Sequence, residues 1–324
     1  ADTALWVIRS NISCNICMFP HHIRKIFQSY GEKMAQASVY AGNLSFMDLS
    51  LRLPIDIYFA YMFGGLLRKM ACKIRPYECQ RGSTDRAVRE GLRILEEAEL
   101  EGRSKEDAVK QVVSLFKTIK TQVTRRPKVA IFGDLYVRDN DFINQGLVHF
   151  IEDNGGEVVT TPYSALIKMV STPYLRKWII EGDLLAAVSS KAFLAMASRL
   201  ERTYLRHFRE VLGDPEPPFT DSAEKVLSEY NVRLEHTGES MENLLKLHYI
   251  KKHHPDISLF VQASPAFCCP SLVTEAMAQR IEQSTGVPVV SVTYDGTGGN
   301  KNEAIIPYLK CRRPGDPGKL HQIL

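Results

Sequence analysis

Two short segments of the chain carry paired cysteines. Cys14-Asn15-Ile16-Cys17 follows the apolar run Ala4-Leu-Trp-Val-Ile8, and Cys268-Cys269-Pro270 follows the apolar run 258–263. Each pair therefore stands where a strand gives way to a helix. The thiolate is both the nucleophile and the metal ligand of cysteine chemistry. A C-x-x-C at a helix start can act as a redox dithiol. A zinc ribbon needs a second C-x-x-C, and the chain has none. An iron–sulfur cluster needs several thiolates gathered from different loops, and Cys14, Cys17 and Cys268 are the candidates. From the residues alone three readings stay open: a cluster, a redox dithiol, or buried thiols with no chemistry. Cys269 is a secondary candidate, because adjacent side chains on an extended segment point to opposite sides. Cys72 lies in an apolar helical stretch and reads as a small hydrophobe. Cys79 follows the loop Arg75-Pro-Tyr-Glu78, and Cys311 sits beside Arg312 with no evident role.

Two further loops hold residues suited to ligand contact. Gly133-Asp134-Leu-Tyr136 leaves another apolar run, with Asn140 close behind, so Asp134 and Asn140 are expected at a cleft. The competing reading is that Asp134 caps a helix or turn. Asp295-Gly-Thr-Gly-Gly-Asn300 precedes Lys301 and resembles a phosphate loop superficially, so Asp295 and Lys301 are candidate phosphate or CoA contacts. Neither G-x-G-x-x-G nor G-x-x-x-x-G-K-[ST] occurs, and a turn needing positive φ is the favoured explanation of those glycines. The pairs His21-His22 and His253-His254 lack the spacing of helical metal ligands.

The elements that must position these loops alternate between short apolar runs and amphipathic stretches. Strands are expected near 4–8, 37–41, 129–132, 157–161, 258–263 and 287–294. Helices are expected near 19–30, 55–72, 140–153 and 271–284, with two more between 84 and 121 and a mostly helical span over 163–212. This β-α-β succession predicts an α/β fold with doubly wound parallel sheets. The sequence Thr124-Arg-Arg-Pro-Lys128 marks a boundary, giving a partial α/β domain over 1–124 and a second α/β domain over 125–324. At 324 residues, with 41 Lys and Arg against 37 Asp and Glu, the charge balance is too even to imply nucleic acid. The most apolar stretch, 53–67, contains Asp56 and Gly64-Gly65 and suits a buried helix better than a bilayer span. Seven cysteines without a regular pattern, and no secretory leader, give a cytoplasmic protein with reduced thiols as the expectation. The opening Ala-Asp-Thr, running straight into a strand, leads us to expect sequence upstream of residue 1.

Five segments in order carry a resemblance: Cys14-Asn-Ile-Cys17-Met-Phe-Pro; Lys73-Ile-Arg-Pro-Tyr-Glu78; Gly133-Asp-Leu-Tyr-Val-Arg138 with Asn140; Pro265-Ala-Phe-Cys268-Cys-Pro270; and Val289-Val-Ser-Val-Thr-Tyr-Asp-Gly296. Together they resemble the CoA-substrate-specific enzyme activase-related proteins, relatives of the iron–sulfur subunits of 2-hydroxyacyl-CoA dehydratases. The resemblance implies two Rossmann-like domains with added helices and an iron–sulfur cluster between them. It also implies a BadF-type ATPase partner, fused or separate, that drives electrons into the cluster, and a CoA-linked or other small substrate. The family's C-x-x-C falls on Cys14 and Cys17, and its C-x-P falls on Cys268 and Pro270, leaving Cys269 at a usually apolar position. An earlier cysteine loop common in the family has no counterpart here, and neither has the ATPase. The reading that competes with a redox module is a docking or nucleotide- or CoA-binding module with no cluster.

Overall fold

The computed structural model describes residues 4–8, 15–42, 52–214, 217, 219–234 and 238–310. Strand β1 (Ala4–Ile8) pairs in parallel with β2 (Ser38–Gly42), Trp6 standing opposite Tyr40. A parallel pair needs a crossover, and helices α1 (Phe19–Ser29) and α2 (Glu32–Ala35) lie within it. Pro20 occupies the first turn of α1, where a missing N–H costs no intrahelical bond. The rings of Trp6 and Tyr40 stack on the exposed face of this small sheet.

Helix α3 (Leu53–Ile74) follows, buried along much of its length. Helices α4 (Ser83–Leu100) and α5 (Lys105–Lys117) pack on it as an antiparallel pair. Ser104 caps α5, its hydroxyl accepting from the Asp107 amide at 3.2 Å. Tyr58, Phe59, Met62, Phe63 and Met70 of α3 share a core with Val112 and Phe116 of α5 and with Phe208. That core draws residues from both sides of position 124.

The second sheet contains β3 (Lys128–Gly133), β4 (Glu157–Val159), β5 (Ile257–Pro265) and β6 (Val289–Tyr294), in the order β4-β3-β5-β6 with every pair parallel. The two central strands are covered on both faces, which is why 129–132 and 259–263 read as nearly unbroken apolar runs. Helix α6 (Leu147–Asp153) joins β3 to β4. Helices α7 (Tyr163–Ile180), α8 (Leu184–Leu212), α9 (Ala223–Ser228) and α10 (Glu239–His253) lead from β4 to β5. Helices α11 (Cys269–Ala276) and α12 (Ala278–Thr285) then lead to β6, and α13 (Ile306–Lys310) follows it. The chain thus steps outward from β3 to β4, then restarts on the other side at β5. In open parallel sheets, ligands gather outside the carboxyl ends of the strands at such a reversal. Among the described residues no helix is long and apolar enough to cross a membrane.

The observed elements are α/β and parallel as expected, with differences: helices α9 and α10 stand where no element was expected. The helix expected over 140–153 begins only at Leu147, because Gln145 and Gly146 both take positive φ and the Asn144 side chain caps the Leu147 amide at 3.0 Å. The single helix expected over 271–284 is two, divided at Met277.

Candidate functional site

The reversal between β3 and β5 is built on a close backbone approach. Gly133, the last residue of β3, has φ +114, and a Cβ there would stand 2.3 Å from the Ala263 carbonyl oxygen. No other residue fits that exit. The Asp134 amide donates back to Ala263 O at 3.0 Å, so the loop after β3 lies directly against the end of β5. Asp134 then turns its carboxylate onto its own loop, accepting from the amides of Tyr136 at 3.0 Å and Val137 at 2.8 Å. Asn140 accepts from the amides of Phe142 and Ile143, each at 3.1 Å. Both residues expected at the cleft therefore shape the loop that borders it.

On the β5 side, Phe267 has φ +63 and an exposed ring, a conformation that costs a bulky residue energy and is sustained only when its surroundings demand it. Cys268 follows as the N-cap of α11, with a buried side chain, while Cys269 is exposed. Cys17 is exposed on a 3-10 turn over Asn15–Met18. The Asn15 side-chain amide donates to the Phe267 carbonyl at 3.0 Å, which brings the turn carrying Cys17 against the loop carrying Cys268. Cys14 and Cys311 lie outside the described residues. None of Cys17, Cys72, Cys79, Cys268 and Cys269 forms a disulfide, and among the described residues no group of three or more His, Cys, Asp or Glu side chains is placed to hold a metal ion. Cys72 is fully buried in the apolar core, where desolvation pushes its thiol up to about 12.

Asp295 and Lys301 engage each other's loop. Asp295 accepts from the Thr297 amide and hydroxyl, and these bonds, with Lys301 close by, hold its carboxyl down at about 2. The Lys301 ammonium donates to the Thr297 hydroxyl at 2.8 Å and lies 3.3 Å from Asp295. Gln145 clamps the same loop, its amide donating to Gly299 O and its carbonyl accepting from the Lys301 amide. Gly296 and Gly299 take positive φ, as turn glycines do.

Beneath the reversal lies a set of buried polar residues that sequence reasoning missed. Asn243 of α10 accepts from the Gly133 amide at 3.1 Å, and Lys246 donates to Ile131 O at 2.9 Å. Arg138, nearly inaccessible, faces Glu242 at 3.8 Å and donates to Asp139 at 3.3 Å. Burial, reinforced by the nearby Arg138 cation, pulls the Lys246 amine well below its ordinary range. Two more buried atoms here, Asn243 Nδ2 and Ser271 Oγ, have no partner among the described residues. The only signal was three polar residues, 242, 243 and 246, on one side of a helix whose other side is Met241, Leu244, Leu245 and Leu247.

Comparison of the chain with family models, with curated proteins and with solved structures found no match.

Proposed function

We propose that this chain is an iron–sulfur redox module of the 2-hydroxyacyl-CoA dehydratase-like kind, built on Rossmann-like domains and receiving electrons from an ATP-dependent activase of the BadF type. The observation that carries this reading is the Asn15–Phe267 hydrogen bond, which sets the two cysteine-bearing loops side by side at the strand ends. Cys17 and Cys268 supply two thiol donors there, and the proposal assigns the third to Cys14. A cluster bound by them would supply one-electron chemistry at a potential tuned by burial and hydrogen bonding. The chain's own part is to fix the loops: Asn15 spans them, and Asp134 and Gly133 press the β3 exit against β5. The second reading is a docking module without a cluster. It is favoured by the exposed rings of Tyr136, Phe142 and Phe267 on these same loops.

Anaerobic reconstitution followed by iron and acid-labile sulfide analysis tests the proposal. Cys268→Ser should abolish iron uptake, while Cys311→Ser should leave it unchanged. Serine is a good N-cap, so the Cys268 variant retains the start of α11. Equal iron in the wild type and the Cys268 variant would rule this residue out as a ligand.

A further inference from the structure

The hairpin of α7 and α8 turns an apolar surface to solvent. The inner face of α8 belongs to the core around α3, where Ala197 and Phe208 are buried and Phe193, Tyr204 and Leu205 pack against them. Glu201, on the same side, meets Tyr58 and Lys168. The outer face has no such cover. Leu185 is 82% exposed and Val188 68%, and Leu184, Ala192, Ala195 and Met196 are exposed with them. At 3.6 residues per turn, positions 185, 188, 192, 195 and 196 form one stripe along the helix. Ile179 and Ile180, the exposed end of α7, extend the patch at the hairpin tip.

Its six large side chains, each leaving roughly 100 Å² open, amount to about 600 Å², the upper end for the largest apolar patch on a monomer. A standard interface takes about 800 Å² from each partner.

Charge selects the occupant. The tip carries Glu181 and Asp183, both exposed. Past the stripe, the same face carries exposed Arg199 and Arg202, and neither joins an ion pair among the described residues. A face that is acidic at one end, apolar in the middle and basic at the other is complementary to its own reverse. With Ala192 on a two-fold axis, an antiparallel copy sets Val188 against Met196 and Leu185 against the aliphatic stem of Arg199. Glu181 then comes beside Arg202. A parallel copy would set like charges together at both ends. The small side chains of Ala192 and Ala195 at the centre let two helix axes approach to about 8 Å. Lys191 flanks the crossing, where its long stem carries the ammonium to water.

We propose that this face binds a second copy of the chain, α8 pairing antiparallel with α8 about a two-fold axis at Ala192. The assignment is independent of the iron–sulfur reading.

Sedimentation velocity of the full chain, from roughly 1 to 100 μM, tests it. At the upper end the wild type should sediment at twice the chain mass of 36.6 kDa. Val188→Glu and Ala192→Arg should each weaken the dimer about tenfold or more. Leu100→Lys, at an exposed apolar residue of α4, should leave it unchanged. Circular dichroism checks folding, and Ala192→Arg carries the test should Val188→Glu not fold. On mild oxidation Ala192→Cys should give a covalent dimer beyond any formed by the wild type. Leu185→Cys should not, because seven residues on either side of the axis separate the two sulfurs by roughly 20 Å. The proposal is overturned if the wild type stays monomeric throughout, or if a folded Val188→Glu or Ala192→Arg variant dimerises as the wild type does. It is also overturned if Leu185→Cys cross-links as readily as Ala192→Cys. A monomeric wild type that cosediments with anionic phospholipid vesicles would assign the face to a membrane surface instead.

Discussion

The Asn15 side-chain amide donates to the Phe267 main-chain carbonyl at 3.0 Å, a contact between residues 252 positions apart. It links the crossover of the two-stranded sheet to the end of β5, at the loop that Phe267 holds in a left-handed conformation.

Asn15→Ala should therefore separate stability from cofactor loading. An exposed hydrogen bond contributes about 1 kcal/mol or less, so the urea midpoint should hardly move. Iron bound per chain after anaerobic reconstitution should fall clearly below wild type. Unchanged iron content would mean that this contact does not help position the ligands.

Gly64→Ala and Gly65→Ala should change stability in opposite directions. The first adds a methyl into open space and removes a helix-interior glycine, a gain of roughly 0.5–1 kcal/mol. The second drives a methyl into Pro162 and should cost about 1–3 kcal/mol. Urea denaturation of both variants measures the difference, and equal shifts would contradict the described approach of α3 to Pro162.

Glu152 gives stability a pH dependence. Arg75 reaches one of its carboxylate oxygens at 2.8 Å and Asp85 through its Nε at 2.8 Å, while the other oxygen, Oε1, is buried without a partner among the described residues. Desolvation raises its carboxyl to about 7, above its ordinary value of 4.5. Between those values the folded state binds more protons than the unfolded one. This contribution is therefore complete below pH 4.5, is lost as pH rises through about 7, and amounts to about 3 kcal/mol at most. Glu152→Gln should flatten that slope in urea melts taken from pH 5 to 8.

Lys246 should act with the opposite sign. Its buried amine is held below the ordinary value of 10.5, so the unfolded state binds the extra proton and stability rises with pH toward that value. Lys246→Met should remove this rise between pH 7 and 9.5 in urea melts. It should also cost roughly 1–3 kcal/mol at the upper end of that range, by removing the bond to Ile131 O. A wild-type stability that is flat or falling across the range, with Lys246→Met showing no difference, would contradict it.

What the sequence determined by itself was the parallel α/β character and the positions of its strands. Strands buried on both faces leave continuous apolar runs, and 129–132 and 258–263 show them without reference to anything distant. The turn character of Asp295–Asn300 was legible for a similar reason, since glycines that need positive φ mark themselves locally. The path of the loop after β3 was not legible, because Gln145 takes a left-handed conformation that its side chain does not announce. Its amide bonds to Gly299 and Lys301, more than 150 residues away, hold it there. That Glu242, Asn243 and Lys246 are buried was not legible either, because it depends on β3, whose Gly133 amide and Ile131 carbonyl are the partners of Asn243 and Lys246. Likewise Gly64 and Gly65 are indistinguishable as letters, and only Pro162 separates the one that permits contact from the one that leaves space. Local pattern encodes which face of an element avoids water. Which element covers that face, and which polar groups end up beneath it, depends on contacts between residues far apart in the chain, and only the tertiary structure decided those.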